Sequence, residues 1–277
     1  MGSAGLATIG SMTDSRSRRQ SSAGPRPPKT AAPKYEKTTT AGPAGDSASG
    51  AAPYGASLPN GLASTIAGAM ADVPVDFGGG CPVVKGLLLA SLIVDRKMTL
   101  AVEIGVYRGR SLVPQALAFQ ALGSGRVVGI DPYSATEARQ TDDHEASHEL
   151  LESFALDTDW DGLCRETADR LARLGVGEAC ELRRTTSREA AASFDDASVD
   201  MVHVDGNHDL AAVAEDLRCY LPKLKRGALL VMDDASWRAI RPAIEMLNES
   251  LERVFTLDDR GLAALGTSSD FVIYRVP

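Results

Sequence analysis

The chain predicts an α/β fold: a seven-stranded, mostly parallel sheet with helices on both faces and an antiparallel last strand. Short apolar, β-branched runs repeatedly end in a glycine or an acidic residue. Helical apolar periods separate them, the alternation from which parallel sheets are built. The last two runs stand close together, which favours an antiparallel pair.

Taken in order, Pro82 to Val94 is almost wholly apolar, and Val83, Val84, Leu87, Leu88 and Leu92 fit a helix packed on a core. Leu100 to Ile104 reads as a buried strand closed by the loop Gly105 to Gly109. A helix over Ser111 to Leu122 is stopped by Gly123 and Gly125, and Arg126 to Ile130 is the second strand, ending at Asp131-Pro132. From Ser134 to His148 the chain is polar and without period, the composition of an exposed loop or lid. A helix from about Asp161 to Leu174 leads to a third strand, Cys180 to Arg184. Val199 to Val204 is the fourth, with Asp205-Gly206 at its end. After the helical period Leu210, Val213, Leu217, Leu221 and Leu224, Gly227 to Met232 forms a fifth strand capped by Asp233-Asp234. A helix carrying Trp237, Ile240, Ile244, Leu247 and Leu251 precedes the strands Arg253 to Leu257 and Phe271 to Val276.

The first 60 residues differ in kind. They hold 41 Gly, Ala, Ser, Thr or Pro and seven large apolar side chains, too few to offset the entropy of ordering them. Residues 1–60 are therefore expected to be a disordered tail, and 61–277 one domain. The tail carries seven cations and three anions, so the remainder holds −12 of the net −8. So acidic a domain repels a phosphate backbone, which argues against nucleic acid. The charge-free stretch between Lys85 and Asp95 is too short to span a bilayer, no signal peptide is visible, and the four scattered cysteines suit a reducing compartment. A cytoplasmic protein is expected; monomer and homo-oligomer both stay open, with the apolar Pro82 to Val94 helix as the candidate contact surface.

Open α/β sheets bind ligands beyond the carboxyl ends of their strands. Here those ends carry Glu103, Asp131, Ser187, Asp205, Asp233 and Asp234. Glu103-Ile-Gly-Val-Tyr-Arg-Gly-Arg-Ser111 follows a strand and opens a helix but lacks the G-x-G-x-x-G spacing of a pyrophosphate loop. Asp131 lies 28 residues after Glu103, where a carboxylate can accept ribose hydroxyls. Together they favour an adenosine-bearing ligand without a diphosphate. Each also has a plainer reading, a tight turn at Gly105 and a turn residue at Asp131.

The pattern Glu103-x-Gly105-x-Tyr107-x-Gly109-x-Ser111, then Gly129-Ile-Asp131-Pro-Tyr133, resembles the cofactor loops of class I, Rossmann-like S-adenosylmethionine-dependent methyltransferases. It is most similar to metal-dependent O-methyltransferases of the catechol type and to bacterial enzymes that methylate antibiotic sugars. The resemblance covers about Pro82 to Pro277. It implies S-adenosyl-L-methionine as cofactor, with Glu103 and Gly105 flanking its methionine end and Tyr107 and Ser111 also in the cofactor-binding loop. Asp131 then takes the ribose, Ser187 lies beside the adenine, and Asp205 faces the cofactor as well. It further implies O-methylation of a small-molecule hydroxyl, on a sugar or a phenolic natural product.

Asp205, Asp233 and Asp234 end neighbouring strands in that family's order, and three converging carboxylates repel unless a positive charge sits among them. A magnesium ion meets that need with oxygen ligands, and the family places metal ligands at these three positions. The plainer reading is that Asp234 caps a helix and Asp205 only ends a strand. His208, three residues after Asp205, stands where the catechol enzyme has its proposed base, and with Asp205 it is the catalytic candidate; the other readings are that it ligates the metal or only starts a helix. Against this stand a metal-independent enzyme of the same fold with another reaction, and a non-catalytic module that only binds S-adenosylmethionine.

Overall fold

The computed structural model describes residues 58–76, 80–144, 146–257 and 270–277. Residues 1–57 of the expected tail lie outside it, as do Tyr54 and Phe77. The elements run α1 (Leu62–Ala71), α2 (Val83–Arg96), β1 (Leu100–Ile104), α3 (Leu112–Leu122), β2 (Arg126–Ile130), α4 (Ala135–Ala138), α5 (His148–Asp157), α6 (Trp160–Arg173) and β3 (Cys180–Arg183). They continue with α7 (Ser187–Ala191), β4 (Val199–Val204), α8 (Leu210–Tyr220), β5 (Leu224–Asp233), α9 (Arg241–Ser250), β6 (Glu252–Leu257) and β7 (Phe271–Arg275).

The strands form one seven-stranded sheet in the order β3-β2-β1-β4-β5-β7-β6. The first five are parallel, and β7 runs antiparallel to both β5 and β6. Strand residues alternate between two apolar layers. Ala101, Val127, Met201, Leu229 and Ile273 pack with α1, α2, α3 and α6 on one face. Val102, Val128, Val202, Leu230 and Val272 pack with α7, α8 and α9 on the other. Strand order reverses between β1 and β4, so a crevice forms beyond their carboxyl ends. Among the described residues no helix is long and apolar enough to cross a membrane.

Three differences from the sequence reading bear on the site. The buried stripe of α2 is Lys85, Gly86, Leu89, Ala90, Leu92 and Ile93, whereas Val84 is exposed and Leu87 and Leu88 are half-buried. Apolar residues lie on both sides of this helix, so the apolar stripe read from the sequence does not by itself select the buried face. Contact selects it instead, since a Cβ on Gly86 would meet Met70 Sδ at 2.6 Å and Pro114 Cγ at 3.0 Å. Next, the polar stretch after Asp131 contains α4 and the start of α5, and Asp209 pins it by accepting the N–H groups of Thr141 and Asp142. Finally α1, α5 and α7 are added, α7 being a single short helix whose Thr186 and Glu189 form a capping box.

Candidate active site

Beyond β1 the chain turns through Gly105, at φ 84°, and Tyr107, at φ 48°. The Gly105 N–H donates to Ile130 O at 2.9 Å. The next two N–H groups, of Val106 and Tyr107, both donate to Asp131 Oδ2 at 2.9 Å, and Tyr133 N–H reaches Asp131 Oδ1 at 2.7 Å. These donors face a carboxylate of the chain, so they are not free to cradle a pyrophosphate, which gives the missing fingerprint a physical counterpart. A carboxylate has about four acceptor sites. Asp131 therefore keeps one, on Oδ1, for a ligand hydroxyl.

The other residues expected at the cofactor are held as follows. Glu103 is buried and accepts from Ser111 Oγ at 2.8 Å and from Gln115 Nε2, with His203 Nδ1 3.3 Å away. Burial pushes its carboxyl up to about 8, against the opposing pull of Ser111, Lys85 and Gln115. Gly105 closes on protein: a Cβ there would sit 2.1 Å from Asp205 O. Tyr107 sets its ring beside Phe154 and Trp160 at centroid distances of 5.5 and 6.4 Å, and its carbonyl accepts from Tyr133 Oη and Thr167 Oγ1. Ser187 Oγ donates to buried Asp216, and Ser187 O accepts from Tyr220 Oη at 2.9 Å.

At the ends of β4 and β5 the four chemistry-bearing side chains divide. Asp205, His208 and Asp234 form one group whose ligand-type atoms lie within 4.8 Å of one another. His208 Nε2 is 2.9 Å from Asp234 Oδ2, and its ring lies under Trp237 at 4.6 Å between centroids. Asp234, at φ 49°, turns its carboxylate to this side. Asp233 turns the other way, into a group with His203 and Asp205. Among the described residues the three carboxylates do not meet as one set.

Between Asp233 and Asp205 stands Lys85, a residue the sequence reading did not single out. Its side chain is 0% exposed, its ammonium contacts Asp233 Oδ2, and Asp205 Oδ2 is 3.9 Å away. The ring of Phe271, paired with Asp233 across β7, lies 5.5 Å from Nζ. The one available signal was a lone cation amid Val83, Val84 and Leu87 to Leu89, because a buried charge requires a partner. That partner lies 148 residues away.

The charges differ accordingly. Burial and then Lys85 drive the His203 imidazole down to about 3, so it is neutral. Burial raises Asp205, although Lys85 and His203 oppose this. Burial also disfavours the His208 cation, but the bond to Asp234 and the charges of Asp234 and Asp205 outweigh it, and the net shift is upward. Asp234 is held below the usual carboxylate range, since His208 and Lys85 overcome its burial. His144, on the pinned segment, is 2.8 Å from Asp209 and edges onto Trp237 at 5.5 Å, while His148 is exposed at the start of α5.

Residues 102–235 match a family described as a methyltransferase domain. No curated protein matches the sequence. Among solved structures, the chain is similar to the O-methyltransferase TomG from Streptomyces achromogenes, involved in tomaymycin synthesis and bound to S-adenosylmethionine. Identity is 20%, covering 79% of this chain and 91% of that one, with a TM-score of 0.50. It is similar to a putative O-methyltransferase from Klebsiella pneumoniae at 15% identity, 78% and 90% coverage and a TM-score of 0.53. An O-methyltransferase from Bacillus cereus, in complex with the demethylated cofactor, gives 15%, 79% and 91%, and 0.50. At these identities the likeness is one of fold, and the fold is that of the class I methyltransferases.

Proposed function

We propose that this chain is an S-adenosylmethionine-dependent methyltransferase that transfers the donor's methyl group to a hydroxyl of a small molecule, a sugar or a phenolic natural product. The methyltransferase-domain match over residues 102–235 and the class I fold support the reading. The observation that carries the reading is the group Asp205, His208 and Asp234 at the crevice, with His208 held by Asp234 and covered by Trp237. It supplies a proton acceptor, a carboxylate that orients it, and an aromatic wall, which a hydroxyl acceptor needs and mere binding of the donor does not.

S-Adenosylmethionine supplies an activated methyl on a sulfonium, so the protein's work is alignment and proton removal. We assign Asp131 to the ribose through its remaining acceptor site, and the Gly105–Tyr107 loop to the methionine end. Glu103 and Ser111 support that loop from beneath. Ser187 and the neighbouring Thr186 belong beside the adenine, as the resemblance implies. His208 Nδ1, which has no hydrogen-bond partner among the described residues, takes the hydroxyl proton, and Asp234, 2.9 Å from Nε2, fixes the ring. Trp237 and the segment pinned by Asp209 wall the acceptor side.

The donor set also fits a divalent cation, with Asp205 and Asp234 as oxygen ligands and His208 beside them, whereas Asp233 is committed to Lys85. When bound there, magnesium lowers the pKa of an acceptor hydroxyl.

The test is mass spectrometry of the full chain with methyl-labelled donor and a panel of sugar and phenolic hydroxyl compounds, in magnesium and in chelator. One labelled methyl on an acceptor oxygen is expected, together with its loss in Asp205→Ala while the donor still binds. Labelling of nitrogen alone, or full turnover by Asp205→Ala, refutes the reading.

A further inference from the structure

We infer that the Lys85 ammonium is a built-in cation that takes the place of a metal ion in the His203–Asp205–Asp233 group, so that Asp233 is not a metal ligand in this chain. The observations are geometric. His203, Asp205 and Asp233 place three ligand-type atoms within 4.8 Å of one another. His203 Nε2 is fully buried without a hydrogen-bond partner, and lies 3.5 Å from Asp233 Oδ2 and 3.9 Å from Asp205 Oδ2. Those features describe a coordination site, and a charge already stands against two of its three members. Lys85 Nζ contacts Asp233 and stands 3.9 Å from Asp205. A magnesium-type ion needs its oxygens at about 2.0–2.1 Å, which is room the ammonium occupies.

The lysine has nowhere else to go. Its stem leaves the buried face of α2, which Leu89, Leu92 and Ile93 fix in the core and Gly86 seats against Met70 and Pro114. Withdrawal would draw a charge through apolar packing. The two groups share Asp205 and nothing else, so Lys85 settles the buried one permanently and leaves the half-exposed one, Asp205, His208 and Asp234, open to ligands. The inference rests on the proposed function only in giving that second group a divalent ion, and the experiment separates the two.

Manganese binding to the purified full chain is followed by electron paramagnetic resonance in the native protein, Lys85→Met, Asp233→Asn and the double variant. Donor binding by calorimetry serves as the check on folding. Lys85→Met is expected to bind one manganese ion more than the native chain, and the double variant to lose that ion. Asp233→Asn alone is expected to leave native binding within about twofold, well short of the 10–100-fold that loss of a metal-supporting partner costs. Weakening of native binding by more than about tenfold in Asp233→Asn overturns the inference, because it makes Asp233 a ligand with Lys85 present. So does a folded Lys85→Met that gains no ion. Should Lys85→Met fail to fold, the Asp233→Asn arm decides, with Lys85→Gln as the second gain-of-site variant. A native chain that binds no manganese, beside a Lys85→Met that binds one, upholds the lysine and removes the ion from the proposed function.

Discussion

Gly105→Ala isolates the contact on which the crevice is built. Gly105 sits at φ +84°, and an added Cβ would lie 2.1 Å from Asp205 O, 2.5 Å from Asp205 C and 2.6 Å from Gly206 Cα. All three are backbone atoms, and neither side can retreat freely. Gly105 N–H is bonded to Ile130 O at 2.9 Å, and Asp205 N–H to Ile104 O at 2.8 Å. The left-handed conformation costs a side chain about 1–2 kcal/mol. Overpacking against fixed neighbours adds about 1–3 kcal/mol. A loss of about 2–5 kcal/mol is therefore expected from urea unfolding, with weaker donor binding by calorimetry as the Gly105–Tyr107 loop is displaced. Gly123→Ala is the control, since Gly123 has φ +68° and nothing within 4 Å of the added Cβ. It bears only the conformational cost, about 1–2 kcal/mol. If the two substitutions cost the same, the packing of Gly105 on the Asp205 corner is not what the glycine serves.

Two further outcomes are expected. Glu103, raised by burial from 4.5 to about 8, holds its proton in the folded chain where the unfolded chain has lost it. Its contribution to stability is thus complete below about pH 4.5 and lost as pH rises through about 8. Urea midpoints of the native protein should fall between pH 5 and 8 more than those of Glu103→Gln, by up to a few kcal/mol in free energy, and parallel profiles would refute the buried-acid account. His208→Ala should lower kcat about 10²–10⁴-fold with donor affinity kept, and should abolish the acidic limb of the pH–rate profile. That limb should stand above the ordinary histidine range in the native protein, because Asp234 holds the His208 cation more strongly than burial opposes it. An unchanged profile excludes His208 as the base.

How much could be read from the sequence followed from how local the signal was. Leu100–Ile104, Arg126–Ile130 and Val199–Val204 come out at their observed bounds, because each is an apolar run cut off by a glycine or an acid. Helix α7 went unread although Thr186-Ser187-Arg188-Glu189 carries the spacing of a capping box, for a five-residue helix shows no apolar period. Helix α1 is built on alanines and glycine, which also give no stripe. At the crevice, the sequence supplied residue types and strand ends, and those suffice to put Asp205, His208 and Asp234 near one another. It could not say which way each carboxylate turns at a corner. Asp233 and Asp234 are adjacent, yet one is extended strand and the other left-handed, and they serve different sides of the sheet's end.

That divergence explains why a lysine and a catalytic cluster can share one corner. Two carboxylates facing the same cation would compete for it, and a fully buried ammonium, already next to Asp233, would hold that cation's position against any exchangeable ion. Turning Asp234 outward by a positive φ removes it from the lysine's side and brings it to 2.9 Å from His208. The left-handed turn costs about 1–2 kcal/mol for a side chain. The ion contact with His208, at 2.9 Å, works against that cost. The corner's strain is thereby opposed at the residue meant to work. The same conformation recurs at Tyr107 and Tyr133, beyond β1 and β2, where the backbone turns so that Asp131 can collect the loop's N–H groups. Of the five left-handed non-glycine residues described, Tyr107, Tyr133 and Asp234 lie where strand ends present a side chain to the crevice, while Lys97 and Ala197 lie at the other end of the sheet's strands. The sheet, bonded strand to strand and buried on both faces, is rigid enough to hold them.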